Sequence, residues 1–275
     1  MTAYRVAYDG TDYHGFQRQP DVVTVEGTIL TGLVELDLID EAMSPPDGYA
    51  AAGRTDAGVS ALAQTIAFRA PEWVTPTVLN GVLPEDIRVW STADAPADFH
   101  ATYDAVSRTY EYHLSLDGTD IDLETMGWVM DRFAGSHDFH NLTPDDTGTE
   151  RDLKTALRME DSFAILSFTA DGFPRQFVRR AVTLVREVAS GERTRANLEA
   201  VLEGPPVDGP DGVETASAHP LLLTSVTYPS LTFEVDEEAA DAARMVFSGH
   251  RTRLETRARI ADRIVDGMTT DRQRE

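Results

Sequence analysis

Residues 53–69 read Gly53-Arg54-Thr55-Asp56-Ala57-Gly58-Val59-Ser60-Ala61-Leu62-Ala63-Gln64-Thr65-Ile66-Ala67-Phe68-Arg69. In the second part Leu62, Gln64, Ile66 and Phe68 alternate with Ala63, Thr65, Ala67 and Arg69, the period-two pattern of a strand. The first part is a loop that sets a carboxylate between two glycines. Glycine permits positive φ and close approach of the backbone to a ligand, so the loop could hold Asp56 out into a cleft. The simpler alternative is an Asx turn, in which Asp56 bonds only its own backbone. Spacing alone favours the turn, so the rest of the chain must decide.

Upstream, Tyr4, Val6 and Tyr8 mark an opening strand that ends at Asp9-Gly10-Thr11-Asp12. The loop Tyr13-His14-Gly15-Phe16-Gln17-Arg18-Gln19-Pro20 is dense in aromatic and amide groups. Thr24 then caps a helix expected from Val25 to about Glu41. Downstream, Thr75-Pro76 starts a short helix ending near Leu83-Pro84, and Ile87 to Ser91 is a strand. Tyr110, Tyr112, Leu114 and Leu116 share one strand face, which places both tyrosines in the core by pattern alone. Helical signals run from Leu123 to Phe133, and Leu153–Met159 with Ser162–Thr169 forms a hairpin across Glu160-Asp161. A strongly amphipathic helix follows from Phe173 to Ala189, with Phe177, Ala181, Leu184 and Val188 on one stripe and Arg175, Arg179 and Arg186 on another. A Gly/Pro/Asp-rich loop covers 204–220, a strand Leu221–Tyr228, and helices 237–247 and 250–267. Strands and helices are mixed in both halves, which is the α+β class.

The chain has 275 residues and 41% hydrophobic content, enough for a sizeable core and for two modest domains. No apolar run approaches a membrane span, and Arg5 and Asp9 interrupt the first segment, so neither membrane nor signal peptide is expected and the location is expected to be cytoplasmic. Cysteine is absent, which excludes disulfides, thiolate nucleophiles and Cys-based metal sites. His137 and His140, three apart with Asp138 between them, have a spacing that could hold a metal, but no third convergent ligand is visible, and no cofactor or metal is expected.

The net charge of −23 would ordinarily exclude a polyanionic partner. However, 23 of the 24 basic residues are arginine and the only lysine is Lys154, a composition that reads as adaptation to molar salt. At ~1 M salt the Debye length is ~3 Å, so an acidic surface hardly repels a distant polyanion. Twelve arginines also fall in two stretches, six within 173–195 and six within 244–263. These form either local anion-facing surface or helix ion pairs with Glu187, Glu255 and Asp262.

Taken together, several pieces resemble the tRNA pseudouridine synthase A family, in order and over nearly the whole chain. They are Tyr8-Asp9-Gly10-Thr11 with Tyr13, Gly15, Gln17 and Gln19; Gly53-Arg54-Thr55-Asp56-Ala57-Gly58-Val59 with Ala61 and Gln64; Leu83-Pro84-Glu85-Asp86-Ile87; Phe99-His100-Ala101; Arg108-Thr109-Tyr110-Glu111-Tyr112; His137-Asp138-Phe139; and Gly172-Phe173 with Phe177-Val178-Arg179. The chain departs from the family pattern at Phe16, Ser60 and Pro174, and lacks the glycine usual after Pro220. With the salt-adapted composition, the resemblance implies a halophilic archaeal source.

The resemblance implies two similar α+β halves, 1–104 and 105–275, with a mixed, mainly antiparallel sheet, helices packed on one side and a catalytic cleft between the halves. It implies Asp56 as the catalytic aspartate, Tyr110 as the tyrosine that packs on the target base, Arg179 as the partner of the aspartate, and Arg54 as an RNA contact near the flipped nucleotide. It implies a homodimer acting on tRNA, converting uridines 38, 39 and 40 of the anticodon stem-loop to pseudouridine. The alternative from another class is a non-catalytic RNA-binding or RNA-chaperone protein on the same scaffold. A hydrolase using His137, Asp138 and His140 with a metal is more distant.

The composition makes its own prediction. Transfer from molar KCl to low salt should unfold the protein, seen as loss of far-UV circular dichroism; an unchanged spectrum would contradict salt adaptation.

Overall fold

The computed structural model describes residues 1–40, 42, 44–207 and 212–271. Its elements are β1 (Thr2–Tyr8), α1 (Val25–Glu35), β2 (Ala50–Ala51), β3 (Ser60–Phe68), α2 (Pro76–Val82), β4 (Ile87–Asp94), β5 (Ser107–Ser115), α3 (Leu123–Phe133), β6 (Gly135–Asp138), β7 (Glu150–Glu160), β8 (Phe163–Ala170), α4 (Phe177–Ala189), α5 (Arg195–Glu203), β9 (Leu221–Thr227), β10 (Glu234–Val235) and α6 (Glu237–Asp271). The strands form one continuous sheet in the order β10-β4-β1-β3-β9-β5-β8-β7-β6, with β2 paired to β3 off that path. All pairings are antiparallel except β3 with β9, where Ser60 faces Leu222 and Ala61 faces Leu223 in parallel register. This is the expected α+β class with a mixed, mainly antiparallel sheet.

Local signals explain most boundaries. Thr24 sits in extended conformation and accepts from Gly27 N, starting α1. The helix stops at Glu35 rather than near Glu41: Asp37 takes φ 56°, Asp37 N donates to Val34 O and Leu38 N donates to Leu33 O. That pair of bonds is a Schellman closure with aspartate in the left-handed position. Glu41 itself lies outside the described residues. Thr75 caps α2 through Val78 N, with Pro76 at its first position. Helix α4 begins at Phe177 instead of Phe173, because Pro174 and the left-handed Gln176 (φ 60°) precede it. Helix α5 was not anticipated, although Thr194 and Asn197 form a capping box ahead of Leu198, Val201 and Leu202. The two expected C-terminal helices are one, α6, which runs through Gly249; an interior glycine costs only ~1 kcal/mol and does not break a helix.

Burial along β3 does not follow its alternation. Gln64 and Thr65 are both fully buried while Leu62 is 48% exposed. Strand β3 lies at the centre of the sheet, between β1 and β9, so polar residues on either face need partners: Gln64 Nε2 donates to Gly53 O at 2.9 Å, and Thr65 Oγ1 accepts from Arg5 Nη1 at 2.7 Å.

Two apolar cores flank the middle of the sheet. The first gathers Tyr4, Tyr8, Phe16, Ile29, Leu33 and Phe68, and the second Met126, Phe133, Phe139, Leu166, Phe168, Phe177 and Leu184. Tyr110 packs against both. The chain then returns across the molecule: Leu223, Val226 and Tyr228 belong to the first core, β10 pairs with β4, and α6 begins against β4.

Phe168 is fully buried, edge-on to Phe133 and Phe177. Phe168→Ala should cost about 3–5 kcal/mol in denaturant unfolding at molar salt. Met245→Ala, at a side chain 72% exposed, should stay within about 0.5 kcal/mol.

Candidate active site

The loop carrying Asp56 is held by contacts that leave its carboxylate available. Thr55, 6% exposed, hydrogen-bonds through Oγ1 with the Tyr8 hydroxyl at 2.8 Å, and its carbonyl accepts from Phe16 N at 3.0 Å. Gly15, with φ +90°, passes so close that a Cβ there would lie 2.9 Å from Thr55 O. Gly58, with φ +82°, donates its N–H to Tyr13 O, and Val59 N donates to Asp56 O to close the turn. The turn is therefore made by backbone atoms. The Asp56 side chain reaches across to Arg179 Nη1 at 3.0 Å, 123 residues away in sequence. The Asx-turn alternative is displaced.

Arg179 stands in the first turn of α4, its side chain 17% exposed against 35% for Asp56. Its Nε donates to Ala216 O at 2.7 Å, which fixes the guanidinium and leaves Nη1 for the carboxylate. An ion pair this exposed is screened by solvent and contributes little to stability; its value is geometric.

Tyr110, on β5, lies beside the same cleft with its ring edge-on to Phe173, centroids 5.4 Å apart at 86°. Its hydroxyl is 4.0 Å from where a Cβ on Gly53 would stand, so the tyrosine stands beside the loop that carries Asp56. Burial pushes its phenol up to about 12; the nearby Arg108 charge opposes that shift and Asp56 adds to it. Tyr110 is thus a neutral aromatic group at any physiological pH. Tyr112 is 4% exposed and belongs to the second core, as its strand pattern indicates.

Arg54 is exposed on the cleft wall. The cleft has a volume of about 680 Å³, within the range of sites for small molecules or a single nucleotide. Arg54, Arg108, Arg151, Arg175 and Arg179 line it with the carboxylates of Asp56 and Glu26, so the cleft is richer in arginine than in carboxylate, although Arg175 is paired with Asp145 and Arg179 with Asp56.

The arginine clusters mostly serve other ends. Of the six between 173 and 195, Arg175 and Arg179 line the cleft, paired with Asp145 and Asp56; Arg180 donates to Val213 O, Arg186 and Arg193 pair with Glu187, and Arg195 lies over the Trp128 ring at 4.4 Å. In the second cluster Arg244 pairs with Asp241, and Arg251 with Glu255 at 3.6 Å. His137 and Asp138 line a separate groove; His137 Nε2 lies 3.1 Å from Ala134 O, and His140 lies beside Asp138. Among the described residues no group of three or more His, Cys, Asp or Glu is placed to hold a metal.

Sequence reasoning missed the supporting residues. The sequence marks Gln64 only as a strand and motif position and Arg108 only as a motif position, yet both bond the backbone that leads into the Asp56 loop, at Gly53 O and Ala52 O. A fully polar Gln within an apolar strand was the available signal; for Arg108 no local signal exists.

A family model described as tRNA pseudouridine synthase matches residues 129–229. The chain is 50% identical to the tRNA pseudouridine synthase A of Haloarcula marismortui over 98% of its length and all of that protein. It is 50% identical to the enzyme of that name from Halobacterium salinarum, covering 95% and 97% of the two chains. At greater distance it is 33% identical to the Archaeoglobus fulgidus protein of the same name, covering 86% and 87%. Among solved structures, a chain of a Cbf5-Nop10-Gar1 complex aligns at 10% identity with a TM-score of 0.35, over 81% of this chain and 58% of that one, too distant to carry an argument. Half-identity along essentially full length, over a chain whose distant Asp56, Tyr110 and Arg179 meet in one cleft, places this protein in the tRNA pseudouridine synthase A family.

Proposed function

We propose that the protein converts uridine to pseudouridine in tRNA, at positions 38, 39 and 40 of the anticodon stem-loop. The observation that carries this reading is the contact of Asp56 with Arg179 in a cleft also lined by Tyr110. The reaction breaks the bond from N1 to the sugar C1′, rotates the uracil and joins C5 to C1′; the C5 proton leaves and N1 gains one. No redox step or energy source is involved, so a carboxylate suffices, acting on the sugar, on the ring or as a base.

The Arg179 guanidinium holds the Asp56 carboxylate in place by a charge-assisted hydrogen bond, stronger and more directional than one from a neutral donor. The flipped uracil costs a few kcal/mol to unstack, and an aromatic face returns about 1–3 kcal/mol. Tyr110 is the group for that role. Arg54, on the cleft wall, serves the phosphates beside the target nucleotide. A cytoplasmic location accords with the substrate, and no described helix is long and apolar enough to cross a membrane.

The halves 1–104 and 105–275 act as the two walls of the cleft, with the return segment from Tyr228 onward bracing the first. A homodimer is supported by the apolar side chains exposed along α6: Leu254, Ile260, Ile264 and Met268 are each 57–63% exposed. A face of this kind calls for cover.

The test is incubation with unmodified tRNA transcript in molar KCl, with pseudouridine mapped by carbodiimide treatment and primer extension. New stops should fall at the three positions and vanish with Asp56→Asn; stops that persist in that variant would remove Asp56 from the chemistry. No stops from the wild-type protein, with tRNA binding intact, would favour the RNA-binding alternative. Tyr110→Ala should slow the reaction about 5- to 150-fold, the equivalent of one lost stack. Because the Tyr110 phenol ionises only near 12, Tyr110→Phe should leave the rate profile between pH 7 and 10 unaltered in shape. Sedimentation in molar KCl should give twice the chain mass, and the chain mass after Ile264→Asp with Met268→Asp; an unchanged dimer would move the interface away from α6.

A further inference from the structure

Arg108 opens β5 two residues before Tyr110 and is only 9% exposed. A buried arginine ordinarily takes a carboxylate. This one takes backbone carbonyls instead. Its Nε and Nη2 donate to Ala52 O at 3.1 and 2.7 Å, Nη2 also donates to Thr102 O at 2.6 Å, and Nη1 donates to Asp171 O.

The three carbonyls belong to three separate segments of the site. Ala52 immediately precedes Gly53-Arg54-Thr55-Asp56. Asp171 immediately precedes Gly172-Phe173, where the ring stands against Tyr110 and the chain turns into α4 and Arg179. Thr102 closes the clamp by donating its hydroxyl to Ala51 O at 2.6 Å. Other arginines of low exposure bond carbonyls away from the Asp56 loop: the half-buried Arg5 ties β1 to Ala63 and Thr65 of β3 and to Val226 of β9, and the buried Arg88 bonds Asn80, Leu83 and Ile87 nearby in sequence.

We propose that Arg108 is the positioning residue of this site: its guanidinium ties the loop of Asp56, the strand of Tyr110 and the turn leading to Arg179 into one rigid unit before RNA arrives. The inference rests on the proposed function only for its catalytic readout. A planar fork with donors in three directions can meet three chains at once, whereas an ammonium is a single point. Displacement of a reacting group by about 1 Å can cost about 10²-fold in rate.

The experiment compares wild type, Asp56→Asn, Arg108→Lys and Arg108→Met in molar KCl. It reads the single-turnover rate of pseudouridine formation on an unmodified tRNA transcript, the Kd for that transcript, and amide hydrogen exchange. Arg108→Met should slow the chemical step about 10²-fold with Kd within about threefold of wild type. Arg108→Lys should fall between the two. Exchange should quicken at 53–56 and 172–176 while β1 and β8 keep their protection. A wild-type rate in either variant, or unchanged exchange in both, overturns the proposal. So does a rate loss matched by an equal loss of binding. If Arg108→Met does not fold, Arg108→Lys decides by the same criteria; if neither folds, Arg108 holds the fold rather than the site and the proposal fails. If the wild-type protein forms no pseudouridine, the functional reading has failed, and hydrogen exchange still judges the brace.

Discussion

The parallel pairing of β3 with β9 is the joint on which the molecule depends. It is short, limited to Ser60 and Ala61 against Leu222 and Leu223, and among the described residues it is the one parallel contact in an otherwise antiparallel sheet. Strand β9 pairs on its other side with β5, so one strand from late in the chain is hydrogen-bonded to both β3 and β5. The joint falls immediately after the Asp56 loop. Val59, the last residue of that loop, packs into the second core although Ala61 and Ile66 of the strand that follows it belong to the first. The carboxylate lies in the cleft within reach of Arg179 in the first turn of α4. A loop with no such anchorage would sample many positions, because loop backbone is costly to order without buried partners.

Charge is arranged on two scales. Over the whole chain the carboxylates dominate, which suits a surface in concentrated salt; inside the cleft arginine does. The arginines outside the cleft are largely engaged, by Glu187, Asp241, Glu255 and the Trp128 ring among others. At high ionic strength long-range attraction is screened within a few ångströms, so a few cations placed in the cleft matter more than the overall balance. This is why a chain of net charge −23 is compatible with a polyanionic substrate.

Much of the fold was legible locally. Strand periodicity, the Thr24 and Thr75 caps and the β7–β8 hairpin follow from interactions between residues a few positions apart. Errors arose where a local signal was weaker than it looked, or stronger. Gly249 did not stop α6, Asp37 did stop α1, and Thr194 announced a helix that went unread. The arginine clusters were visible as composition, but which of them faced an anion depended on which carboxylates lay nearby in space.

The sequence by itself determined the chemical inventory: no cysteine, one lysine, a glycine-flanked aspartate, a tyrosine-bearing strand and an amphipathic helix with an arginine stripe. It also carried the family motifs that tie Asp56, Tyr110 and Arg179 together. Only the tertiary structure decided that Asp56 accepts a bond from Arg179 rather than from its own turn, that Tyr110 lies between the cores while Tyr112 is sealed in one, and that Arg108 is satisfied by carbonyls of three distant segments. The physical reason is one of range. Propensity, periodicity and capping act over a few residues, whereas a hydrogen bond across 123 residues exists only after β3, β9 and β5 have paired and the two cores have closed around them.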